Sequence, residues 1–306
     1  MANTTHLTGR TVLVTGAGGG IGRAIALQAA RAGASVVVND LGATLDGQKS
    51  ASDAAAAVVG EIEAAGGTAV ADSGDVALED DARAMVRLAT ETYGRLDAVV
   101  NNAGILRDAF FHKMTLETFD AVIRVHLYGT FNVSRAAAVV MRAQQSGSLI
   151  NMTSTSGLIG NLAQANYSAA KLGIAALSKS MALDLARWNI RSNCIAPFAW
   201  SRMTSNIKVD SPEQQERVGR LREMVPEKIA PLALHLASDA GADVTGQIFA
   251  VRNNEIFLMS QPRPVRSVQR GDGWDLDTVR DTAMPALAGS FVPLDVSADV
   301  FNWDPV

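Results

Sequence analysis

The feature that most constrains this chain is an alternation running through about its first 250 residues. Short β-branched runs trade places with longer alanine-rich stretches whose apolar residues recur at helical spacing. The runs Thr11 to Thr15, Ser35 to Asn39, Thr68 to Asp72, Ala98 to Asn101, Ser148 to Met152, Arg191 to Ile195 and Gln247 to Val251 read as seven strands joined by six crossovers. Strands that are apolar almost throughout must be buried on both faces. The expected architecture is therefore one α/β domain over residues 1–251, a doubly wound parallel seven-stranded sheet with helices on both faces and ligands beyond the carboxyl ends of the strands. A chain of 306 residues is at the upper end for such a domain. From about Arg252 the pattern breaks down into frequent Pro, Gly and Asp, and only Glu255 to Met259, set off by Asn253-Asn254, looks like a further strand. Residues 252–306 read as a C-terminal extension.

Directly after the first strand comes Thr15-Gly16-Ala17-Gly18-Gly19-Gly20-Ile21-Gly22, which also opens the first helix. Gly16 permits the tight turn, Gly20 lets the backbone approach a pyrophosphate, and Gly22 lets helix and strand pack closely. The helix N-terminus, at Ile21 and its neighbours, supplies amide donors and positive potential. Asp40 stands eighteen residues beyond Gly22, at the end of the second strand, where a carboxylate would accept hydrogen bonds from both adenosine ribose hydroxyls. No Lys or Arg lies in Asn39 to Thr44 to offset a 2′-phosphate, so NAD is favoured, with a plain turn residue as the alternative. Asp75 and Val76 follow the third strand, where they could hold the adenine edge or where Asp75 could cap a helix. Asn102, Ala103 and Gly104, ending the fourth strand, read as a backbone rest for the cofactor or as a tight turn.

Tyr167 and Lys171 share one face of a helix expected over about Gln164 to Arg187. An ammonium about 4 Å from a phenol contributes roughly 4 kcal/mol at an effective dielectric of 20, or about three pKa units. On that reasoning Lys171 should depress the Tyr167 phenol and make a base able to take an alcohol proton. Ser154 ends the fifth strand thirteen residues before Tyr167 and could orient the substrate oxygen, although Thr153, Thr155 and Ser156 offer hydroxyls beside it.

Together these pieces resemble the short-chain dehydrogenase/reductase family: a TGxxxGxG loop, an NNAG segment, a Ser, a YxxxK pair and Pro197 after the sixth strand. The resemblance covers Gly9 to about Val251. It implies a Rossmann-like fold, a nicotinamide cofactor held partly by Tyr167, Lys171 and Pro197, and catalysis by Ser154, Tyr167 and Lys171. A fourth catalytic position, Asn in most of the family, is His126 here. The family's Asn helps hold a water in a proton relay toward the lysine, and His126 would either do the same or be structural. Within the family the chain resembles the (3R)-hydroxyacyl-CoA dehydrogenase unit of peroxisomal multifunctional enzymes and their bacterial relatives. The runs carrying that likeness are VVVNDLG at Val36, NNAGILRD at Asn101, Val125-His126-Leu127, GNLAQANYSAAK at Gly160, and Ile195-Ala196-Pro197 followed by Ser201-Arg202-Met203-Thr204. That subgroup also carries His in place of Asn, but the extension has no match there.

The reading is thus an NAD-dependent oxidoreductase interconverting a secondary alcohol and a ketone, first a 3-hydroxyacyl-CoA, alternatively a hydroxysteroid or terpenoid alcohol. A catalytically silent NAD-binding sensor is a third possibility, opposed by the intact Ser, Tyr and Lys. Charge does not choose between substrates. Ser201 to Lys228 holds six basic and five acidic side chains, and the segment after Val251 holds five arginines against eight carboxylates, with Arg263, Arg266 and Arg270 the nearest thing to a patch.

A net charge of −4 suggests no nucleic-acid partner, and no metal site is read. No apolar run approaches the roughly 18 to 20 residues that span a bilayer, and the opening residues lack a signal-peptide core, so a cytoplasmic protein without membrane attachment is expected. The single cysteine, Cys194, reads as a buried small hydrophobe. The resemblance implies a homodimer or homotetramer pairing the helices at about Gly129 to Arg142 and Gln164 to Arg187. There Ala136, Ala137, Ala138, Ala175 and Ala176 would allow close approach. Trp274, Phe291, Phe301 and Trp303 need a surface, so the extension should pack on its own domain or a neighbouring subunit and shape the substrate entrance.

Overall fold

The structure is a computed structural model that describes residues 6–44, 46–47, 53–199 and 219–306. Its strands are β1 (Thr11–Thr15), β2 (Ser35–Asn39), β3 (Thr68–Asp72), β4 (Ala98–Asn101), β5 (Gly147–Met152), β6 (Ile190–Phe198), β7 (Ile248–Arg252) and β8 (Glu255–Leu258). They form one sheet in the order β3-β2-β1-β4-β5-β6-β7-β8. The seven strands expected from sequence are all parallel, and the strand expected in the extension adds antiparallel to β7, so the sheet has eight strands. Strand order reverses between β1 and β4, which puts a crevice at their carboxyl ends.

Side-chain alternation explains why the strands read as continuously apolar. Val12, Val14, Val36, Val38, Val100 and Ile150 point to one face, with Ile25, Ala29 and Leu236 from α1 (Gly20–Arg31) and α8 (Ala230–Ala237). Leu13, Val37, Val99 and Leu149 point to the other, with Met85, Val133 and Met141 from α3 (Glu79–Tyr93) and α5 (Gly129–Gln144). The first face is completed by α2 (Ala54–Ala64) and the second by α4 (Leu116–Ile123) and α7 (Ala165–Leu185), with a single turn α6 (Thr155–Leu158) after β5. The pole at the amino ends of the strands is closed by structure. There buried Asp97 accepts from the Thr11 N–H at 2.8 Å, from Arg10 at 2.9 Å and from Arg95. The opposite pole carries the candidate site.

The extension returns along the β6–β8 edge. The Phe301 ring meets Phe198 at 4.9 Å and Phe257 at 5.2 Å, and Trp303 lies 5.1 Å from the Arg252 guanidinium and donates to Glu255 at 2.8 Å. Arg252 also donates to the Trp303 carbonyl, Arg220 pairs with Asp304 at 2.7 Å, and Asn254 N–H donates to the Val306 carbonyl at 2.9 Å. Of the four large residues expected to be covered, Phe301 and Trp303 make these contacts, yet Trp303 stays 42% exposed, as much as Trp274 at 40%, and Phe291 is 62% exposed.

Candidate active site

The loop between β1 and α1 is held from below. Gly16 has φ +62°, and a Cβ there would meet Ala103 Cα at 2.7 Å; one on Gly22 would meet the Gly16 carbonyl at 2.3 Å. Asn102 donates from its amide to the Thr15 and Gly16 carbonyls at 3.0 Å, and its backbone N–H and that of Ala103 both reach Thr15 Oγ1. The Asn102 side chain therefore pins the glycine turn rather than offering itself to a ligand. Gly20 has φ +52° with open space where its Cβ would stand, and Ile21 packs into the core beside it. Helix α1 starts at Gly20 with no side-chain cap and no acid in its first turn, so its first amides face outward unpaired by side chains. That is the donor set a pyrophosphate needs.

Asp40 sits at the lip of this loop, accepting from Gly18 N–H and Gly42 N–H at 2.8 Å each. Asp75 accepts from Ala77 N–H at 2.9 Å within its own turn, and α3 begins four residues later with Leu78 as its N-cap, so Asp75 does not cap that helix. Val76 is buried against Gly129, and its carbonyl takes the Asn132 amide at 3.1 Å.

Beyond β5 the chain turns into α6, and the four neighbouring hydroxyls separate by burial. Thr153 is buried and donates to the Lys171 carbonyl at 2.7 Å; Ser156 donates to Gln164 at 2.9 Å; Thr155 is buried. Ser154, at the α6 N-cap and only partly covered, accepts from Ser156 N–H at 3.1 Å and is the one of the four that bears on the Tyr167 phenol, favouring its ionised form against burial. Lys171, buried one turn along α7, donates to the Met152 carbonyl at 2.6 Å and lies 5.5 Å from the Tyr167 ring centre.

The electrostatics differ from the expectation that an ammonium would depress the phenol. Burial raises the Tyr167 pKa above its ordinary value, the Ser154 hydrogen bond opposes this, and Asp108 adds to the rise. Burial also pulls Lys171 down to about 7. Desolvation acts against the charged form of both groups, and with the lysine itself near neutral pH its pull on the phenol is weakened.

His126 falls in a π-helical turn (Arg124–Tyr128) between α4 and α5, a bulge of the kind often found at functional sites. Its Nε2 lies 3.1 Å from the Ile105 N–H and 2.8 Å from the Ile105 carbonyl, while buried Nδ1 has no partner among the described residues. Burial, followed by the charge of Lys171, lowers its pKa to about 3, so the imidazole is neutral. Gly104 makes room for it: a Cβ there would stand 2.4 Å from His126 Cε1.

Ser154, Tyr167, Lys171 and His126 are thus brought together at the carboxyl ends of β4 and β5, next to the glycine loop. Pro197 stands half-buried at the end of β6, and Ser201 to Thr204 lie outside the described residues. Sequence reasoning missed Asn166. Fully buried, it accepts from Tyr167 N–H at 2.8 Å and donates to the Arg107 and Thr118 carbonyls at 2.9 and 3.3 Å, fixing the first turn of α7. Its signal was only a polar residue at a helix start, shared by many surface positions.

Residues 10–212 match the family model described as short chain dehydrogenase. The chain belongs to the short-chain dehydrogenase family. It is 41% identical over 300 residues to the hydroxyacyl-CoA dehydrogenase ChsB1 of Mycobacterium tuberculosis, covering 94% of this chain and 91% of that one. It is 45% identical over 270 residues to peroxisomal multifunctional enzyme type 2 of Mus musculus, covering 88% of this chain but only 35% of the mouse protein. This agrees with the subgroup likeness seen in sequence. A solved 7α-hydroxysteroid dehydrogenase, complexed with NADH and 7-oxo glycochenodeoxycholic acid, superposes with a TM-score of 0.72 at 33% identity, covering 82% of this chain and 96% of its own. As a member of this dehydrogenase family the protein is an oxidoreductase acting on CH–OH groups of a small-molecule substrate with a nicotinamide cofactor. Among the described residues no helix is long and apolar enough to cross a membrane.

Proposed function

We propose that the protein oxidises a (3R)-hydroxyacyl-CoA to the 3-oxoacyl-CoA with NAD, using Ser154, Tyr167 and Lys171. The observation that carries this is the convergence of Ser154, Tyr167, buried Lys171 and neutral His126 at the carboxyl ends of β4 and β5, beside the uncapped, acid-free N-terminus of α1. A nicotinamide dinucleotide held there supplies the hydride acceptor. The α1 amides and the glycine loop fit its pyrophosphate, and Asp40, fixed by two backbone amides, fits its adenosine ribose better without a 2′-phosphate.

Ser154 orients the substrate oxygen, and Tyr167, passing its own phenolic proton on toward the neutral form of Lys171, takes the substrate's proton as the carbon–hydrogen bond breaks. Lys171, near 7, can pass on or hold that proton at neutral pH. His126, neutral and rigidly seated, has an unpartnered Nδ1 suited to a relay water rather than to a charge. The acyl-CoA assignment is supported by the likeness to ChsB1. A hydroxysteroid is the second reading, favoured by the likeness to 7α-hydroxysteroid dehydrogenase. The test is incubation of purified protein with NAD or NADP and a panel of 3R- and 3S-hydroxyacyl-CoA and sterol alcohols, following reduced nicotinamide. Turnover of sterols alone, or of 3S-acyl-CoA alone, overturns the first reading.

A further inference from the structure

Against Thr155 and Ser156, the two residues that follow Ser154, lies a cavity of about 360 Å³, at the small end of the roughly 300–1,000 Å³ of small-molecule sites. Thr155 and Ser156 form its floor and Phe198 one wall, while Ala298, Phe301 and Trp303 of the extension close it. The extension is tied down at several points around this cavity. Ser297 donates from its N–H and hydroxyl to the Gly160 carbonyl at 3.0 and 3.2 Å, on the loop that joins Ser154 to Tyr167. Phe301 is wedged between Phe198 and Phe257, and Trp303 is stacked on buried Arg252.

We propose that this cavity, walled by Phe301 and Ala298 of the extension, receives the apolar acyl portion of the substrate, making these two residues determinants of chain length. Three observations converge on that occupant. The cavity is lined by Thr155 and Ser156, the two residues that follow Ser154, which puts it next to the place where Ser154 would hold the carbinol. Phe198, Leu221, Met224 and Phe301 give it an apolar side beside the polar Thr155, Ser156, Asn161 and Ser297, and the charges of Arg252 and Asp304 are engaged by Trp303 and Arg220. It is too small for a CoA moiety as well, which leaves the thioester arm to the open side of the site.

The proposal rests on the alcohol-oxidising reading of Ser154 and Tyr167, and its size dependence follows from apolar burial. Each methylene that loses its place in the cavity lowers kcat/KM about fourfold. The experiment compares wild type, Ala298→Phe and Phe301→Ala across short-, medium- and long-chain 3-hydroxyacyl-CoA, with NADH affinity measured separately by fluorescence. Ala298 stands exposed at the rim, so Ala298→Phe narrows the cavity mouth and should lower the long-to-short ratio of kcat/KM by tenfold or more. Phe301→Ala opens it and should move the optimum to longer chains, with NADH affinity constant in both.

Equal rescaling of every chain length, or unchanged ratios, overturns the proposal. If the wild type oxidises sterol alcohols and no acyl-CoA, the acyl-CoA reading falls by itself. The same ratios are then read over sterols with graded side chains, and the same null change overturns the wall assignment. A wild type that binds no member of either series in the presence of NADH, by calorimetry, also overturns it.

Discussion

The His126 imidazole and the Tyr167 ring pack at 89° to one another, with the ring centres 5.2 Å apart. An imidazole packed this way, with its Nε2 on the Ile105 backbone, is worth most when neutral. Its folded pKa of about 3 lies below the ordinary 6.5, so the unfolded chain binds more protons between those values and stability falls as pH falls through that window. Between pH 7 and pH 5 the loss should be about 2 kcal/mol. Urea midpoints should show it in the wild type and show most of it missing in His126→Asn. An equal acid loss in both proteins would assign it elsewhere.

Tyr167→Phe keeps the ring against His126 and removes the hydroxyl on which Ser154 bears. Turnover should fall roughly 10²- to 10⁴-fold with NAD affinity nearly unchanged. Lys171→Ala should damage both turnover and cofactor affinity. Steady-state rates combined with NADH fluorescence titration separate the two effects, and wild-type turnover in the Phe variant would remove Tyr167 from the chemistry.

Asp40 is engaged by Gly18 and Gly42, so its carboxylate is fixed where a 2′-phosphate would crowd it. NAD should bind more tightly than NADP by at least tenfold, since an unpaired close phosphate contact costs a few kcal/mol, on the order of two. Asp40→Ala should narrow that gap. Equal binding of the two cofactors to the wild type, by titration, would be incompatible with this role.

A homodimer or homotetramer through α5 and α7 is expected in solution, but not through all the alanines suggested by sequence. Ala137 and Ala175 are buried in the protomer's own core, whereas Phe131 and Val139 on α5 and Leu172 and Leu183 on α7 point outward. Val139→Asp with Leu183→Asp should shift light-scattering mass toward the monomer. A monomeric wild type at micromolar concentration would refute the pairing.

Much of this was legible because it is periodic or local. The strands from Thr11 to Asn101 are legible to the residue, since both-face burial demands continuous apolar runs, and the glycine loop is legible because backbone conformation restricts residue type. Long-range packing was not. Only the fold reveals that Asn102 turns inward to hold the Gly16 turn, that Asn166 fixes Tyr167, and that burial raises the phenol and lowers Lys171. The extension was half legible: its aromatics announced a need for cover, but which ones obtain it depends on Phe198, Arg252 and Phe257, brought together by the sheet edge.

Gly104 and His126 offer a test of coupling that neither position alone provides. A methyl group on Gly104 would overlap His126 Cε1 at 2.4 Å, and the neighbouring ring atoms at 3.1 Å leave it no side to move toward. Gly104→Ala must therefore push the imidazole off the Ile105 backbone or against Tyr167, and overpacking of this kind costs about 1–3 kcal/mol. In His126→Asn the smaller side chain leaves room for the methyl group, so the second substitution should cost much less in that background. The interaction energy from the four proteins, by denaturant titration, should reach about 1 kcal/mol or more. Turnover should follow the same pattern if the seat of the ring governs Tyr167. Additive losses across the cycle would mean that Gly104 is required for its backbone alone.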